Sequence, residues 1–181
     1  MDGYFGSYDF RRLSVLTAYF IFLGIILYFL QLGQLSWYVL LVSAIGWFAI
    51  EMRANPKHLG NAIKLGLFLL VFDFIIENSG WIFGLWHTIS QFHVGVVPIQ
   101  VMLVALFGGA AWAMYMPKKF NLNHSMANCI VFALFGALGE WLLIRQGLFV
   151  YSLWWNSILA FFAYLITWIV LTFVRYRIFN K

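Results

Sequence analysis

The sequence predicts an all-α integral membrane protein, a polytopic bundle of six transmembrane helices that forms a single domain over residues 1–181. Two observations support this fold class. The chain is 64% hydrophobic and only 9% charged, whereas soluble domains average about 25% charged residues. Its apolar runs are also close to the length of about 20 residues that a helix needs to cross the hydrocarbon. A β-barrel would alternate over segments of about ten residues, and the run LTAYFIFLGIILYFL does not alternate.

Six apolar runs follow one another along the chain, with short connections between them. Their bounds are roughly residues 13–31, 35–51, 62–86, 96–116, 126–144 and 152–174. Pro98 lies near the start of the fourth run and Pro117 ends it, as expected for a residue without a backbone N–H. The N-terminal residues include acids and aromatics, and no small-residue cleavage site lies between the first run and the second, so we expect the first helix to be retained.

Basic residues cluster beside the apolar runs, in four segments that would share one side of the membrane if there are six spans. These are Arg11, Arg12, Arg53, Lys57, Lys118, Lys119, Arg175, Arg177 and Lys181. The positive-inside tendency then places both termini in the cytoplasm, and we expect an integral protein of a prokaryotic inner membrane. The net charge of +5 indicates contact with an anionic lipid surface and not with nucleic acid. On this side Glu51 and His124 are expected to be solvated.

A repeat is visible in the second half of the chain. At an offset of 63 residues Glu77 overlies Glu140, and Gly84-Leu85 overlies Gly147-Leu148. The match predicts a duplicated hairpin, with spans three and four repeated as spans five and six, as in other membrane folds. Three matches in an apolar alphabet can also be accidental, so both interpretations stay open.

The stretch VFDFIIENSGWIFGLW, residues 71–86, holds two acids and an amide in an apolar run. A charge at the centre of a spanning helix costs roughly 2.5–3.5 kcal/mol, and intramembrane acids normally face a bundle interior or a wet cavity. Asp73 and Glu77 are about one turn apart and share a helix face. Two desolvated acids this close should not both be ionised, so we expect at least one to carry a proton. Together with Glu140 they are the candidate catalytic residues, as proton donor and as stabilising carboxylate.

Side chains near these acids are the candidates for a substrate-binding site. They comprise aromatic residues whose faces attract cations and two amides: Asn78, Trp81, Trp86, Gln100, Trp141 and Phe149. The alternative is structural, with the acids and Asn78 hydrogen-bonded between helices or to Arg145 to fix their packing.

Other chemistry has little support in the sequence. His87 and His93 flank a loop on the same side as Glu77, but two loop histidines without an HExxH motif or clustered histidines do not predict a metal site. Cys129 has no cysteine partner and is expected to be a small buried residue. No cofactor motif is found, so we expect chemistry that requires no cofactor.

The segment from Phe72 to Tyr115 resembles the lycopene cyclase domain of membrane carotenoid cyclases. The parallels are Asp73, the GWIFGLW run and the segment VVPIQVML, residues 96–103. In that family the corresponding span begins with a Pro-Leu-Glu-Glu-like motif, whereas Gln100 and Val101 occupy the two acidic positions here. The resemblance implies isoprenoid chemistry in which the proton would have to come from Asp73 or another of the buried acids.

These observations predict a membrane enzyme that acts on an apolar, isoprenoid or carotenoid-like lipid by intramembrane acid catalysis, as a cyclase, isomerase or hydratase. The cavity is expected between spans three and six. The alternative is a small proton-coupled transporter or a structural subunit of a membrane complex. The expected partners are the bilayer and an apolar lipid substrate, with a homo-oligomer or a membrane-protein partner as a further option for the aromatic outer faces.

Overall fold

The computed structural model describes residues 10–179, and the fold is a bundle of helices. Within that range lie six α-helices: α1 (Phe10–Leu30), α2 (Leu35–Ala54), α3 (Leu59–Ile82), α4 (Ile99–Tyr115), α5 (Leu122–Arg145) and α6 (Ser157–Arg177). Five of them are long and apolar enough to cross a membrane, and α4 is an apolar helix of 17 residues. Residues 1–9, which hold the predicted uncleaved start, and Lys181 of the basic tail lie outside the described residues.

The six predicted runs coincide approximately with the six helices, and three helix ends differ from the prediction by four or five residues. The third run was predicted to reach Trp86, which lies instead in a strand. α5 begins four residues earlier than predicted, where the side chain of Asn121 accepts a hydrogen bond from the His124 N–H. α6 begins five residues later, where the side chain of Asn156 caps the first turn. Asparagine favours this capping position because its oxygen accepts an otherwise unpaired helical N–H.

Four short strands, which the sequence did not predict, join the helix ends on the side of the bundle opposite the basic segments. β1 (Trp86–Thr88) pairs antiparallel with β4 (Phe149–Tyr151), and β2 (His93–Val94) pairs with β3 (Val97–Pro98). The β1–β4 pair links the end of α3 to the end of α5, which are far apart in the chain.

The α3–β1 and α5–β4 segments have the same local structure at the offset of 63 residues. Both helices contain 24 residues, and their first and last residues each differ by 63 in number. Both end before a glycine with positive φ, Gly84 at 64° and Gly147 at 69°. Only glycine adopts this conformation without steric cost, so the repeated Gly-Leu dipeptide has a physical role in each helix end.

The hydrogen bonds around β1 and β4 repeat in the same way. Ile89 N donates to Leu148 O and Ser152 N donates to Leu85 O, both at 2.8 Å. Each bond is the image of the other under the 63-residue offset. The two halves are therefore related locally by a two-fold rotation through the centre of this strand pair.

The helices pack as two hairpins with one further helix on each. α3 packs against α4 and α5 against α6, while α2 packs on α4 and α1 on α5. The backbones of α3 and α4 meet at Gly66 and Gly109. The same positions in the second hairpin are Cys129 and Thr172, whose Sγ and Oγ1 atoms lie 3.5 Å apart. Cys129 is buried, as predicted.

Two expectations for the basic end of the bundle are wrong. Glu51 is only 4% exposed and forms an ion pair with Arg12, with both carboxylate oxygens 2.7 Å from the guanidinium. His124 is also 4% exposed, and the Asn128 side chain donates to its backbone carbonyl at 2.8 Å. The partner of Glu51 is Arg12 on α1. This pairing was not predicted, because the two residues are distant in the chain.

Candidate functional site

A cavity of about 300 Å³ lies at the centre of the bundle, and all six helices contribute to its wall. Most of the wall is aliphatic or aromatic. The aromatic part includes Phe20, Trp47, Phe132, Phe135, Tyr164 and Trp168. Trp47 stacks on Phe132 with ring centroids 5.8 Å apart, and Phe132 lies 4.7 Å from Trp168. The volume falls at the small end of the range for ligand sites, about 300–1,000 Å³.

The three predicted catalytic acids line this one cavity. Asp73 and Glu77 reach it from α3, and Glu140 reaches it from α5. Each is partly buried, and the three carboxyl groups are close enough to interact electrostatically. Half of the six acidic residues of the chain therefore surround one apolar space.

The two glutamates each accept a hydrogen bond from the β1–β4 pair. The Trp86 indole N–H donates to Glu77 Oε2 at 3.2 Å, and the Tyr151 hydroxyl donates to Glu140 Oε2 at 2.6 Å. Trp86 and Tyr151 lie directly opposite each other across the two strands, so their side chains leave the same face. The strand pair thus brings one donor to each glutamate.

Asp73 differs from the glutamates in its hydrogen bonding. Its Oδ2 atom is buried and has no hydrogen-bond partner among the residues that the structure describes. A buried polar atom without a partner is costly, and such groups in native proteins commonly mark a functional role or an unseen ligand or water.

Tyr151 is a neutral hydroxyl group at ordinary pH. Burial raises the pKa of Tyr151 well above its usual value, and the nearby Glu140 carboxyl raises it further. A phenol can both donate and accept a hydrogen bond. Tyr151 lies on β4 and donates to Glu140, so it links the Glu140 carboxyl to the end of the bundle where the strands lie.

Tyr164 brings a second hydroxyl group close to Glu140. Its ring packs on Gly136, where an added Cβ would lie 2.6 Å from the ring. Under the 63-residue offset Gly136 corresponds to Asp73, and Tyr164 corresponds to Val101. The two halves therefore carry different polar groups at this level, an acid on α3 and a phenol on α6.

The predicted substrate-binding residues are only partly brought to the cavity. Phe149 lines the cavity. Trp86 does not line it but donates a hydrogen bond to Glu77, which does. Trp81 and Trp141 lie on the outside of the bundle, 55% and 38% exposed. Trp81 was expected to lie on the same helix face as Glu77. However, each step of four residues turns the helix about 40° beyond a full turn. This excess accumulates from the centre of α3 and turns the Trp81 side chain to the outside of the bundle.

The two predicted amides also lie away from the cavity wall. The Asn78 side chain donates to the Phe74 carbonyl one turn earlier at 2.7 Å. Gln100 is buried and accepts a hydrogen bond from the Ser90 hydroxyl at 3.2 Å. Both amides therefore stabilise the ends of their own segments.

Residues from α1 and α2 were missed as part of the site. The sequence placed the cavity between spans three and six, whereas Phe20, Trp47 and Ser43 line it too. Nothing in the sequence marked them, because α1 and α2 contain no acid near their centres and their aromatic residues resemble packing residues.

The sequence left open a structural role in which the acids hydrogen-bond to Arg145. Arg145 is exposed and lies over the rings of Tyr28 and Trp141, at 4.9 and 5.2 Å from their centroids. His87 is exposed on β1, on the strand face opposite to Trp86. Across residues 10–179 no group of three or more His, Cys, Asp or Glu is arranged to hold a metal ion.

Comparison of the chain with protein-family models, with curated proteins and with solved structures returns no match.

Proposed function

We propose that this protein is a membrane enzyme that acts on an apolar, isoprenoid or carotenoid-like lipid by acid catalysis inside the bilayer. The observation that carries the proposal is the convergence of Asp73, Glu77 and Glu140 on one cavity with aromatic walls. Intramembrane acids that face a cavity are functional by default. An apolar wall with a few convergent polar groups is also the usual composition of a small-molecule site.

The reaction begins with transfer of a proton from a carboxylic acid to an alkene. The acid O–H bond breaks, the alkene π electrons form a new C–H bond, and a carbocation remains on the neighbouring carbon opposite a carboxylate. Loss of a proton from an adjacent carbon, with or without ring closure, completes an isomerisation or a cyclisation. Addition of water to the cation followed by loss of a proton completes a hydration. In each case one proton is released for the one consumed, to a neighbouring carboxylate or to solvent, and the acid is regenerated when a proton is delivered back to it.

Asp73 is the best candidate for the proton donor. Glu77 and Glu140 each have an N–H or O–H group directed at a carboxylate oxygen, and such donors favour the charged form. Asp73 Oδ2 has no such donor, and a neutral acid can itself donate. We therefore assign Asp73 as the acid and the two glutamates as the groups that stabilise positive charge.

The aromatic wall has a matching role. The faces of Trp47, Phe132 and Trp168 carry negative potential, and a carbocation over such a ring gains about 1 kcal/mol or more when desolvated. The sequence had suggested Trp81 and Trp141 for this role. Both of these side chains are exposed on the outside of the bundle, so we assign this role to the rings on α2, α5 and α6.

The proposed setting is a prokaryotic inner membrane with six spans and both termini in the cytoplasm. Counting α4 as a span requires its 17 residues, about 26 Å of helix at 1.5 Å per residue, to cross most of a hydrocarbon core of about 30 Å. With six spans the exposed basic residues Lys57 and Lys119 share the cytoplasmic side.

The test uses the purified chain in lipid nanodiscs, an acyclic carotenoid polyene and D₂O. We expect the product to carry solvent deuterium on carbon, measured by mass spectrometry, because protonation of an alkene forms a C–H bond with an exchangeable proton. Asp73→Asn should lower the rate by about 10²-fold or more, the scale of general acid catalysis. Glu140→Gln should also lower the rate, because it removes a carboxylate that stabilises the cation. The matched control is Glu51→Gln, which removes a carboxylate outside the cavity and should keep turnover. Deuterium incorporation that persists in the Asp73→Asn variant would contradict the assignment of the acid.

A proton-coupled carrier is the second candidate function. It is favoured by the combination of three acids with a cavity wall that has no lysine, arginine or histidine in the described chain. A carrier predicts uptake of a ligand into proteoliposomes driven by a pH gradient, with the ligand chemically unchanged. The enzyme predicts a new product without any gradient.

A further inference from the structure

The cavity has an unbalanced charge. Three carboxyl groups line it, and no basic side chain does so within residues 10–179. Isolated charges in an apolar environment are strongly disfavoured unless they are paired. An ionised carboxyl group in this cavity therefore has no lining cation from residues 10–179 to pair with, and it would be stabilised by a proton or by a positive group that enters the cavity.

Three arginines, one each on α1, α5 and α6, are engaged elsewhere. Arg12 pairs with Glu51 at 2.7 Å. Arg175 donates to two backbone carbonyls near the end of α4, at 2.9 and 2.7 Å. Arg145 lies over the ring of Tyr28. These contacts hold the three guanidinium groups away from the cavity acids.

Two further observations point to a guest molecule. The buried Oδ2 atom of Asp73 has no partner although the side chain lines an open cavity. The stacked rings of Trp47 and Phe132 form part of the same wall. Carboxylates beside aromatic faces are the combination that recognises quaternary and tertiary ammonium groups.

We infer that the cavity is a binding site for a lipophilic cation, a compact alkylammonium group with an apolar body. The ammonium group lies against Asp73 between the two glutamates, and the apolar body lies against the aromatic wall. When the cation enters, an acid O–H bond in the cavity breaks, the proton leaves to solvent, and the carboxylate pairs with the cation. The inference depends on the cavity and not on turnover, so it goes beyond the proposed function.

The experiment compares two molecules of nearly the same shape. Benzyltrimethylammonium is the cationic probe, and neopentylbenzene is its neutral isostere. Binding to the chain in nanodiscs of neutral phosphatidylcholine is measured by calorimetry, with quenching of tryptophan fluorescence as a second measurement. We expect the cation to bind saturably and at least about tenfold more tightly than the isostere, and Asp73→Asn to weaken the cation by about tenfold or more.

A pair of glycine variants provides a matched control that leaves the acids in place. Gly108 lines the cavity, and an added Cβ there would meet no atom within 4 Å. Gly108→Leu should fill the cavity and abolish binding. Gly46 is exposed on α2 and equally free of neighbours, so Gly46→Leu should bind like the wild type. Equal thermal unfolding of the two variants establishes that both are folded.

The outcomes are distinct. Any one of three results would overturn the inference. The first is equal binding of the two probes, and the second is cation binding that survives in the triple variant Asp73→Asn, Glu77→Gln, Glu140→Gln. The third is unchanged binding in Gly108→Leu. If the triple variant fails to fold, the glycine pair decides. Cation binding without isoprenoid turnover would retain the site and remove the proposed enzyme. Turnover without cation binding would do the reverse.

Discussion

Glu77 and Glu140 occupy equivalent positions but have different hydrogen-bond partners. Glu77 accepts from an indole, which can only donate, whereas Glu140 accepts from a phenol, which can donate and accept. A proton can therefore pass through Tyr151 to Glu140, and Trp86 offers no such route to Glu77. In the proposed reaction this difference makes α5 the side from which the spent acid is reprotonated.

The first prediction concerns Tyr151→Phe. We expect the first turnover of an acyclic polyene to be nearly normal and later turnovers to slow by about tenfold or more, because the acid starts protonated and is then resupplied slowly. Rapid mixing with product analysis by mass spectrometry measures both phases. Tyr38→Phe, at a tyrosine that is 41% exposed, is the control. Equal slowing of the first and later turnovers would mean that Tyr151 only positions Glu140.

The residue-level site was partly predictable from the sequence. Asp73 and Glu77 could be placed on one face because a spacing of four is a local property of a helix. Tyr164 could not be found, since its contact with Gly136 and Glu140 depends on how α6 packs on α5. Trp81 was assigned wrongly, because helical rotation near the end of α3 had to be known to within about a third of a turn.

The end of α3 is an element-scale feature with a specific steric requirement. β1 folds back over the last turn so that the Trp86 ring lies directly on Gly80, and a Cβ at Gly80 would overlap that ring. The indole then reaches Glu77. The sequence motif Glu-Asn-Ser-Gly-Trp is therefore explained in part by the packing of a strand on a helix.

The second prediction tests this packing with two glycine to alanine variants. Gly80→Ala should lower the free energy of unfolding by about 1–3 kcal/mol, the usual cost of overpacking. Gly46→Ala, in the middle of α2 with no neighbour within 4 Å, should raise it by about 0.5–1 kcal/mol. Denaturant unfolding in detergent micelles measures both. A Gly80→Ala variant as stable as wild type would show that β1 does not rest on α3.

The third prediction concerns the ion pair that joins α1 to α2. Glu51 is 5% exposed and Arg12 is 33% exposed at their side chains, so Arg12→Met leaves a buried carboxylate without its partner. The loss for a fully buried pair is about 3–5 kcal/mol, and partial exposure of the arginine reduces our expectation to about 1–3 kcal/mol. The double variant Arg12→Met, Glu51→Leu should regain most of this stability, because no buried charge remains.

Unfolding of the two variants, with Arg53→Met on the exposed surface of α2 as the control, separates the outcomes. If the single and double variants are equally destabilised, packing of the arginine stem and not its charge holds α1 against α2.

At the scale of the whole molecule the repeat organises the site. The sequence indicated the 63-residue offset from Glu77, Glu140 and two Gly-Leu pairs, and the same helix bounds and glycine conformations occur in both halves. The β1–β4 pair was not predictable, because three-residue strands carry almost no periodic signal and their partners are distant in the chain. The contribution of α1 and α2 to the cavity was missed for the same reason, since it follows from assembly and not from local pattern.

The last prediction decides whether α4 crosses the membrane. With six spans the connections after α2 and after α4 share one side, and the connection after α3 lies on the other. If the 17-residue α4 does not cross, the connection after α4 lies on the same side as the connection after α3.

Single cysteines at Lys57, Gln91 and Lys119, all exposed, distinguish these topologies by labelling of sealed vesicles with a membrane-impermeant maleimide. The native Cys129 is buried and should label weakly. We expect Lys57→Cys and Lys119→Cys to react together and Gln91→Cys to react from the opposite side. Reaction of Gln91→Cys and Lys119→Cys from the same side would leave five spans and place the two hairpins in unequal orientations, which contradicts a membrane-wide two-fold relation between them.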